Sequence, residues 1–345
     1  MTATAAPATA AAPPPAAIPK QRFDWIPPAL VAGLALLGWA AIGSTSTWIT
    51  LTVAGLAMGL IVFIIASGLT LVFGLMDVLN FGHGVFIALG AYLAVSVFAG
   101  MSDWTTSADV GRNLVAIGAA ALAGALVAGT VGVFFERVLV RPVYGQHLKQ
   151  ILITMGGMIV GEELIKVVWG PAPIALTMPE GLRGVLSLGG DAAVEKFRVL
   201  AGAVGLAVFL ALVLVLSRTK IGLLIRAGVQ DREMVESLGY RVRRLFVGVF
   251  VAGSAFAGLG GALWGMYQQG VTPAIGAQVN VLIFIVIIIG GLGSTTGCFV
   301  GALLVGLMAN YTGFLAPKVA MFSNIGLMVA VLLWRPRGLY PVTSR

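Results

Sequence analysis

Asp77, Asn80 and His83 form a polar group in a part of the chain that is otherwise apolar. They lie within DVLNFGHGVF, residues 77–86, and no Lys, Arg, Asp or Glu occurs in the 52 residues before Asp77 or the 25 after it. Ionisable groups inside an apolar segment are typical of proton relays and ion pathways. The same residue types also occupy turns and helix caps, which is a purely structural role.

Two glycines beside His83 favour an interruption of the helix at this point. Asn80, Gly82 and Gly84 all disfavour an unbroken helix. Irregular backbone at membrane depth persists only where protein or water satisfies its polar groups, and transporters use such breaks to expose helix ends to a substrate or gate. The alternative is a cytoplasmic turn between two spans, with Asp77 solvated and Asn80 capping the next helix. Both interpretations are compatible with the local sequence.

Known enzyme and metal motifs are absent from the sequence. There is no G-x-x-x-x-G-K-[ST], H-E-x-x-H or G-x-S-x-G pattern, and the stretch GGLGSTTG at 290–297 lacks the lysine of a phosphate loop, which favours a tight interhelical turn. The single Cys298 excludes a disulfide framework, and His83 and His147 are 64 residues apart. We therefore predict no catalytic residue, no metal site and no cofactor bound by this chain.

The elements that must position these residues are predicted to be membrane-spanning helices. The chain of 345 residues is 59% hydrophobic and 10% charged, whereas soluble domains carry about a quarter charged residues. A crossing needs roughly 20 apolar residues, so the charge-free run 245–317 has room for three. We predict an all-α, polytopic membrane protein with about 8–10 transmembrane helices. The candidates are 28–43, 49–73, 85–100, 113–135, 150–168, 199–217, 245–268, 279–294, 297–315 and 319–334.

The distribution of basic residues predicts the orientation of the chain. If the N-terminus is inside, 15 of the 21 Lys and Arg fall in inner segments, so both termini are expected in the cytoplasm and nucleic acid is not an expected partner. Residues 1–22 are rich in Ala and Pro and are predicted to be a disordered tail. The membrane domain is then 23–340, and 341–345 is a short C-terminal tail.

One group of charged residues lies inside a predicted span. In GEELIKVVWG, Glu162 and Lys166 are four residues apart on one helix face, with Glu163 beside them. Because this group lies close to the end of the span at Gly170, we favour a structural ion pair at the interface over a proton relay.

The longest polar inner segment, 218–244, contains a potential docking helix. Asp231 to Leu238 is predicted to form a short amphipathic helix, with Asp231 near its N-cap and Gly239 at the C′ position. A compact helix between two spans is suited to contact another protein. The alternative is a solvated basic loop.

Four blocks of sequence resemble the permease subunits of branched-chain amino acid ABC importers. In chain order they are GLTLVFGLMDVLNFGHGVFIALGAYLA (68–94), RAGVQDREMVESLG (226–239), IGGLGSTTGCFVGALLVG (289–306) and LLWRPRGL (332–339). Binding-protein-dependent permeases also carry an E-A-A-x-x-x-G motif that docks into the ATPase. Glu233-Met234-Val235 followed by Gly239 keeps that spacing but neither alanine. The resemblance thus assigns Asp231, Arg232, Glu233 and Gly239 to an ATPase-coupling loop.

The resemblance implies a multi-pass permease in the bacterial inner membrane. Its partners would be a homologous permease, two ATP-binding subunits that hold ATP and Mg, a periplasmic solute-binding protein and the lipid bilayer. Transport of branched-chain amino acids or a related small solute, such as urea or a short amide, would proceed by alternating access. Asn80, Gly82, His83 and Gly84 would then form a helix break beside the translocation path. The alternative function is a stand-alone ion- or proton-coupled secondary transporter or channel.

Overall fold

The computed structural model describes residues 24–189, 191–230 and 232–341, so the tail 1–22 lies outside the described residues. Thirteen α-helices follow one another in the described chain: α1 (Ile26–Ile42), α2 (Thr45–Met76), α3 (His83–Gly100), α4 (Ser102–Thr105), α5 (Val110–Phe135), α6 (His147–Trp169), α7 (Lys196–Arg218), α8 (Lys220–Gln230), α9 (Arg232–Ser237), α10 (Val242–Gln268), α11 (Ile275–Gly290), α12 (Thr295–Leu315) and α13 (Ala320–Trp334). A π-helical turn, Glu136–Val140, and a 3-10 turn, Arg141–Val143, extend α5.

Short strands connect the helices at one end of the bundle. β1 (Ile174–Ala175) pairs antiparallel with β4 (Gly270–Val271), which ties the segment after α6 to the segment after α10. β2 (Val185–Gly189) and β3 (Ala192–Glu195) form a hairpin that leads directly into α7. These strands lie outside the helical core, in the connections between the helices.

The predicted all-α, polytopic class is confirmed. Within the described chain, six helices are long and apolar enough to cross a membrane: α2, α3, the extended helix Val110–Val143, α7, α10 and α12. Three shorter apolar helices, α1, α11 and α13, bring the total to nine. The predicted span at 150–168 is also helical, as α6, although Lys149, Glu162, Glu163 and Lys166 make it more polar than the others.

One predicted span was misplaced by about a turn. The helix expected at 279–294 is α11, which begins at Ile275 and ends at Gly290. Pro273 lies in the turn before α11 and suits a helix start, whereas Gly291 has a φ of 101° that ends the helix. The GGLGSTTG stretch is accordingly an interhelical turn, and Ser294 caps α12 by accepting a hydrogen bond from the Gly297 N–H.

Two long helices, α2 and α10, cross antiparallel at the centre of the bundle. They touch at Gly68 and Gly253, where a Cβ on Gly253 would lie 2.7 Å from the Gly68 carbonyl oxygen. α12 packs along the outer side of α2 and α5 along that of α10, while α3 fits between α5 and α10. Small residues are needed here because helices associate in lipid through close backbone packing rather than through a hydrophobic driving force.

Further glycines occupy the other helix contacts. A Cβ on Gly59 would lie 2.6 Å from the Ala302 carbonyl oxygen, and one on Gly301 would lie 2.7 Å from that of Val286. Gly90 of α3, Gly124 of α5 and Gly258 of α10 meet at one point, where three backbones approach each other. These glycines therefore face neighbouring helices in a tightly packed bundle.

The bundle has two distinct faces, and both ends of the described chain lie at one of them. Asp24 before α1 is paired with Arg335 after α13, with 2.7 Å between Arg335 Nη1 and Asp24 Oδ2. The end of α2 lies at the same face, since Gly74 contacts Gly293 in the turn before α12. The assignment of this face to the cytoplasm stays a prediction from the basic residues.

The chain ends are held together by a small polar network, the terminal clasp of Asp24, Arg335, Leu339 and Tyr340. Arg335 Nη1 also donates to the Leu339 carbonyl at 3.0 Å, and the Tyr340 hydroxyl donates to the Asp24 carbonyl at 3.0 Å. The hydrogen bond from Arg335 holds the pKa of the Asp24 carboxyl below its ordinary value of 3.8. Leu339 and Tyr340 donate their N–H groups to the end of α11, so the clasp fastens both termini to the bundle.

Replacing Arg335 by Gln is expected to lower the thermal unfolding midpoint of the detergent-purified protein by a few degrees at pH 7. Because the pKa of Asp24 is lowered in the folded state, the pair stabilises fully above pH 3.8 and loses its effect as the pH falls through the lowered pKa. The difference between the two proteins should therefore shrink near pH 3. Arg337→Gln is the matched control, since it removes the same charge from an exposed neighbour. Equal destabilisation by the two variants would contradict the prediction.

Candidate functional site

The helix break predicted near His83 is present as a segment that turns back into the bundle. α2 ends at Met76, and Asp77 follows in the left-handed conformation with φ 53° and ψ 37°. Residues 77–82 are not helical, and α3 begins at His83. His83 reaches the backbone of Ile65, which lies eleven residues before the end of α2. At 1.5 Å per residue, the carbonyl that the His83 side chain reaches lies about 17 Å along α2 from its end, so α3 begins inside the bundle.

Neighbouring helices satisfy the backbone at the centre of this break. The Phe81 N–H donates to Thr154 Oγ1 of α6 at 3.2 Å, and the Phe81 carbonyl accepts from Asn280 Nδ2 of α11 at 2.9 Å. The Phe81 ring stacks on that of Phe284, with 4.6 Å between ring centroids. Non-helical backbone inside a membrane protein needs such partners, because lipid offers none.

His83 is buried, and its side chain makes one hydrogen bond within the described chain. Its Nε2 lies 3.1 Å from the Ile65 carbonyl oxygen, and because that oxygen can only accept, Nε2 carries the proton. Its Nδ1 is buried without a partner among the described residues. The bond anchors the first residue of α3 to the middle of α2.

The surroundings of the other two predicted turn residues differ. The Asp77 side chain is largely exposed, with its Oδ2 3.7 Å from His147 Nε2 at the start of α6. Asn80 is buried and does not cap α3, whose N-cap is Gly82. The solvated Asp77 thus fits the turn interpretation, whereas the buried Asn80 fits the break.

A second break lies at the end of α10 and has the same construction. Gln269 ends α10 in the left-handed conformation with a φ of 53°, and with Asp77 it makes up the positive-φ non-glycine residues of the described chain. Six residues separate α10 from α11, as six separate α2 from α3, and a glycine is the second residue of both following helices. Because α2 and α10 run antiparallel, the two breaks approach the centre of the bundle from opposite faces.

The two breaks meet where α3 and α11 begin. A Cβ on Gly84 would lie 2.8 Å from the Gly276 carbonyl oxygen, and a Cβ on Gly276 would collide with the Gly84 carbonyl in return. Gly82 is equally confined, since a Cβ there would meet the Phe135 ring and, at 3.0 Å, the Thr154 carbonyl oxygen. Two helix N-termini, each the positive end of a helix dipole, therefore adjoin inside the bundle.

Several buried polar atoms at the breaks have no hydrogen-bond partner within the described residues. They are both amide atoms of Asn80, Oδ1 of Asn280 and Nδ1 of His83. Unpaired buried polar atoms are costly and call for an explanation. These atoms keep their capacity to donate or accept a further hydrogen bond.

The ion pair predicted on α6 between Glu162 and Lys166 has the expected geometry, and Glu163 also contacts Lys166. Lys166 Nζ lies 3.2 Å from Glu162 Oε1, as the four-residue spacing predicts, and only 2.7 Å from Glu163 Oε1. Glu162 also lines a small cavity between Gly84 and Gly276, beside the point where α3 and α11 begin. This group is therefore nearer to the breaks than its sequence position suggests.

The predicted docking helix is α9, which spans Arg232–Ser237. Asp231 lies outside the described residues, as do the side chains of Arg232 and Glu233. Gly239 occupies the C′ position with a φ of 86°, and its N–H donates to the Glu236 carbonyl while the Tyr240 N–H donates to that of Val235. This pair of hydrogen bonds is a Schellman motif, which fixes the end of α9.

Comparisons with known proteins decide the family. The model of the family described as "Branched-chain amino acid transport system / permease component" matches residues 51–332. The chain belongs to this permease family. It is thereby a multi-pass inner-membrane transport protein, as predicted, and the stand-alone transporter gains no support.

Similar proteins from several organisms extend this result. The chain is 29% identical to the high-affinity branched-chain amino acid transport system permease protein LivH of Escherichia coli K12, over 83% of this chain and 92% of the relative. It is 30% identical to BraD of Pseudomonas aeruginosa, over 83% and 94% of the two chains. LivM of Escherichia coli K12 is 28% identical, over 85% and 70%. No solved structure matches the chain.

Within this permease, sequence reasoning missed the second break and the residues that support the first. Gln269 directly follows α10, as Asp77 directly follows α2. Gly276 is the second residue of the next helix, as is Gly84. That repetition becomes visible only once the ends of α2 and α10 are known. Thr154 and Asn280 carried no comparable signal, because their role depends on contacts 73 and 199 residues away in the chain.

Proposed function

We propose that this chain is the membrane permease subunit of an importer that moves branched-chain amino acids or a related small solute by alternating access. The paired helix breaks, inside a chain of this permease family, carry the proposal. Transporters commonly place solute sites between internal repeats, at discontinuous helices whose N-terminal ends face the substrate. Here the solute path runs beside the junction of α3 and α11.

The chemistry around the junction suits a zwitterionic solute. The positive ends of two helices favour a carboxylate. Beside the adjoining cavity, Glu162 and Glu163 together carry one more negative charge than Lys166 neutralises, which favours an ammonium group. The unpaired atoms of Asn80 and Asn280 add neutral hydrogen-bonding groups. In this proposal Asn80, Gly82, His83 and Gly84 shape the path, and no residue performs covalent chemistry.

Energy for transport comes from separate subunits in this proposal. ATP and Mg bind to two ATP-binding partners, and α9 with its Gly239 cap is the lever that they move. A homologous permease and a periplasmic solute-binding protein complete the assembly. The arrangement is supported by the compact helix between α8 and α10 and by the names of LivH and LivM, which denote two permease proteins of one kind of system.

Reconstitution into proteoliposomes tests the proposal. The chain alone should give no uptake of leucine under a proton or sodium gradient, whereas the chain with the partner permease, the ATP-binding subunits and the solute-binding protein should give ATP-dependent uptake. Competition by valine and isoleucine, compared with urea and acetamide, then identifies the solute class. Gradient-driven uptake by the isolated chain would contradict the proposal and support a secondary transporter.

A further inference from the structure

A polar cavity separate from the helix breaks lies at the face where α5 ends and α10 begins. It has a volume of about 900 Å³ and is enclosed by the π-helical turn after α5, the end of α9 and the first turn of α10. Its charged lining consists of five arginines, Arg137, Arg141, Arg241, Arg243 and Arg244, and two glutamates, Glu136 and Glu236. We name it the arginine cavity.

The arginine cavity carries excess positive charge that the described protein leaves unpaired. Five arginines face two glutamates, and none of the five forms an ion pair or a hydrogen bond with another described side chain. Glu136 is buried, and its Oε1 accepts a hydrogen bond from the Tyr144 hydroxyl at 2.6 Å. The guanidinium groups are exposed and therefore available to a ligand. Guanidinium is the cation best matched to the oxygens of a phosphate group.

Two independent charge patterns place this cavity at the level of lipid headgroups. The charge-free run 113–135 of α5 has 23 residues, about 35 Å of helix, and ends directly before Glu136 and Arg137. The charge-free run 245–268 of α10 is nearly the same length and begins directly after Arg244. Each run is slightly longer than the hydrocarbon layer of roughly 30 Å. Both sets of arginines therefore lie at the boundary between hydrocarbon and water.

Apolar surface next to the cavity favours a lipid over a soluble anion. Val138 on the π-helical turn is exposed beside Arg137. Phe135 and Leu139 of the same stretch line a separate, apolar cavity of about 650 Å³ between α3, α5 and α6, which has room for an acyl chain. A ligand that carries both a phosphate group and hydrocarbon chains matches the exposed arginines and the apolar surface of Val138 beside them.

We propose that the arginine cavity binds the phosphate of an anionic phospholipid from the surrounding leaflet. The lipid links the end of α5 to the start of α10, beside the segment proposed to contact the ATP-binding subunits. Basic pockets between transmembrane helices on the cytoplasmic side are suited to such headgroups. This site is separate from the solute path, so it stands or fails independently of the proposed function.

The test is native mass spectrometry of the full chain in neutral detergent, titrated with dioleoylphosphatidylglycerol or dioleoylphosphatidylcholine. We expect phosphatidylglycerol to bind at lower concentration. Arg137→Gln/Arg141→Gln and Arg243→Gln/Arg244→Gln should each weaken that binding by about tenfold or more, since each basic residue near an anionic surface contributes roughly a fivefold effect. Binding of phosphatidylcholine should not change. The corresponding Arg→Lys pairs should restore part of the affinity, because they keep the charge.

The matched control is Lys149→Gln/Arg218→Gln, which removes two positive charges from segments assigned to the same face but outside the cavity. If this control weakens lipid binding as much as the cavity variants do, the effect is general surface charge and the proposal is wrong. Equal binding of the two lipids to the wild-type chain overturns it as well, whether or not the variants fold. Thermal unfolding in phosphatidylcholine identifies variants that do not fold.

Two further measurements, competition by inorganic phosphate and co-purification of ATP-binding subunits, distinguish other ligands. Inorganic phosphate that competes as strongly as phosphatidylglycerol at equal concentration would overturn the lipid assignment in favour of a free anion. Unchanged lipid binding in the cavity variants, with loss of co-purifying ATP-binding subunits, would identify a protein-docking surface and also overturn it. A loss of phosphatidylglycerol binding confined to the cavity variants supports the proposal.

Discussion

Replacing Gly84 by Leu is expected to reduce ATP-driven leucine uptake to below about a tenth of the wild-type rate while the protein still reaches the membrane. A Cβ at this position already lies 2.8 Å from the Gly276 carbonyl oxygen, so a larger side chain must push α3 and α11 apart. Overpacking of this kind costs about 1–3 kcal/mol, which corresponds to roughly 5- to 150-fold. The measurement is uptake into vesicles, normalised to the amount of assembled complex.

Gly118→Leu is the matched control for this experiment. Gly118 lies in α5 on the exposed side, and no atom of the described chain comes within 4 Å of its Cβ position. Its substitution should leave uptake unchanged. Gly84→Ala adds a smaller side chain at the same contact and should give an intermediate rate. Wild-type uptake by Gly84→Leu would mean that the break is only a turn and that the junction of α3 and α11 does not move during transport.

Replacing Gly239 by Val is expected to lower both solute-stimulated ATP hydrolysis and uptake of the assembled importer by about tenfold. Gly239 has a φ of 86°, a conformation that costs an ordinary residue about 1–2 kcal/mol, and β-branched residues more. The strain opens the Schellman motif that ends α9, so the proposed lever loses its fixed direction. The transmembrane bundle should keep its unfolding temperature, because no described atom lies within 4 Å of the Gly239 Cβ position.

Gly145→Val controls for backbone strain alone. Gly145 also has a positive φ, of 77°, and its Cβ position is equally free of neighbours in the described structure. It lies in the connection between α5 and α6, outside α9, so the same strain should leave hydrolysis and uptake near the wild-type values. Equal losses of hydrolysis and uptake in the two variants would show that α9 is not the contact with the ATP-binding subunits. Wild-type hydrolysis and uptake in Gly239→Val would show the same.

Much of the architecture follows from local patterns in the sequence. Charge-free runs predicted where helices cross, because lipid excludes charge over a fixed thickness of hydrocarbon. Asn80, Gly82 and Gly84 predicted an interruption before α3, and Gly239 predicted the end of α9, because these residue types change the preference of the backbone within a few residues. The predicted bounds of α11 were wrong because Gly291 ends the helix inside an apolar run, and hydropathy does not mark a helix end within such a run.

The composition of the candidate site was decided by tertiary structure. Thr154 and Asn280 reach the break at Phe81 from helices that are distant in sequence, and the residues around them do not predict the contact. The arginine cavity likewise unites Arg137 with Arg244, more than a hundred residues apart. The sequence alone determined which segments are helices and where the backbone must bend, since those depend on neighbours along the chain. Which bends and charges meet depended on the glycine contacts that bring α2, α10, α3 and α11 to backbone distance, and such packing exists only once the helices have assembled.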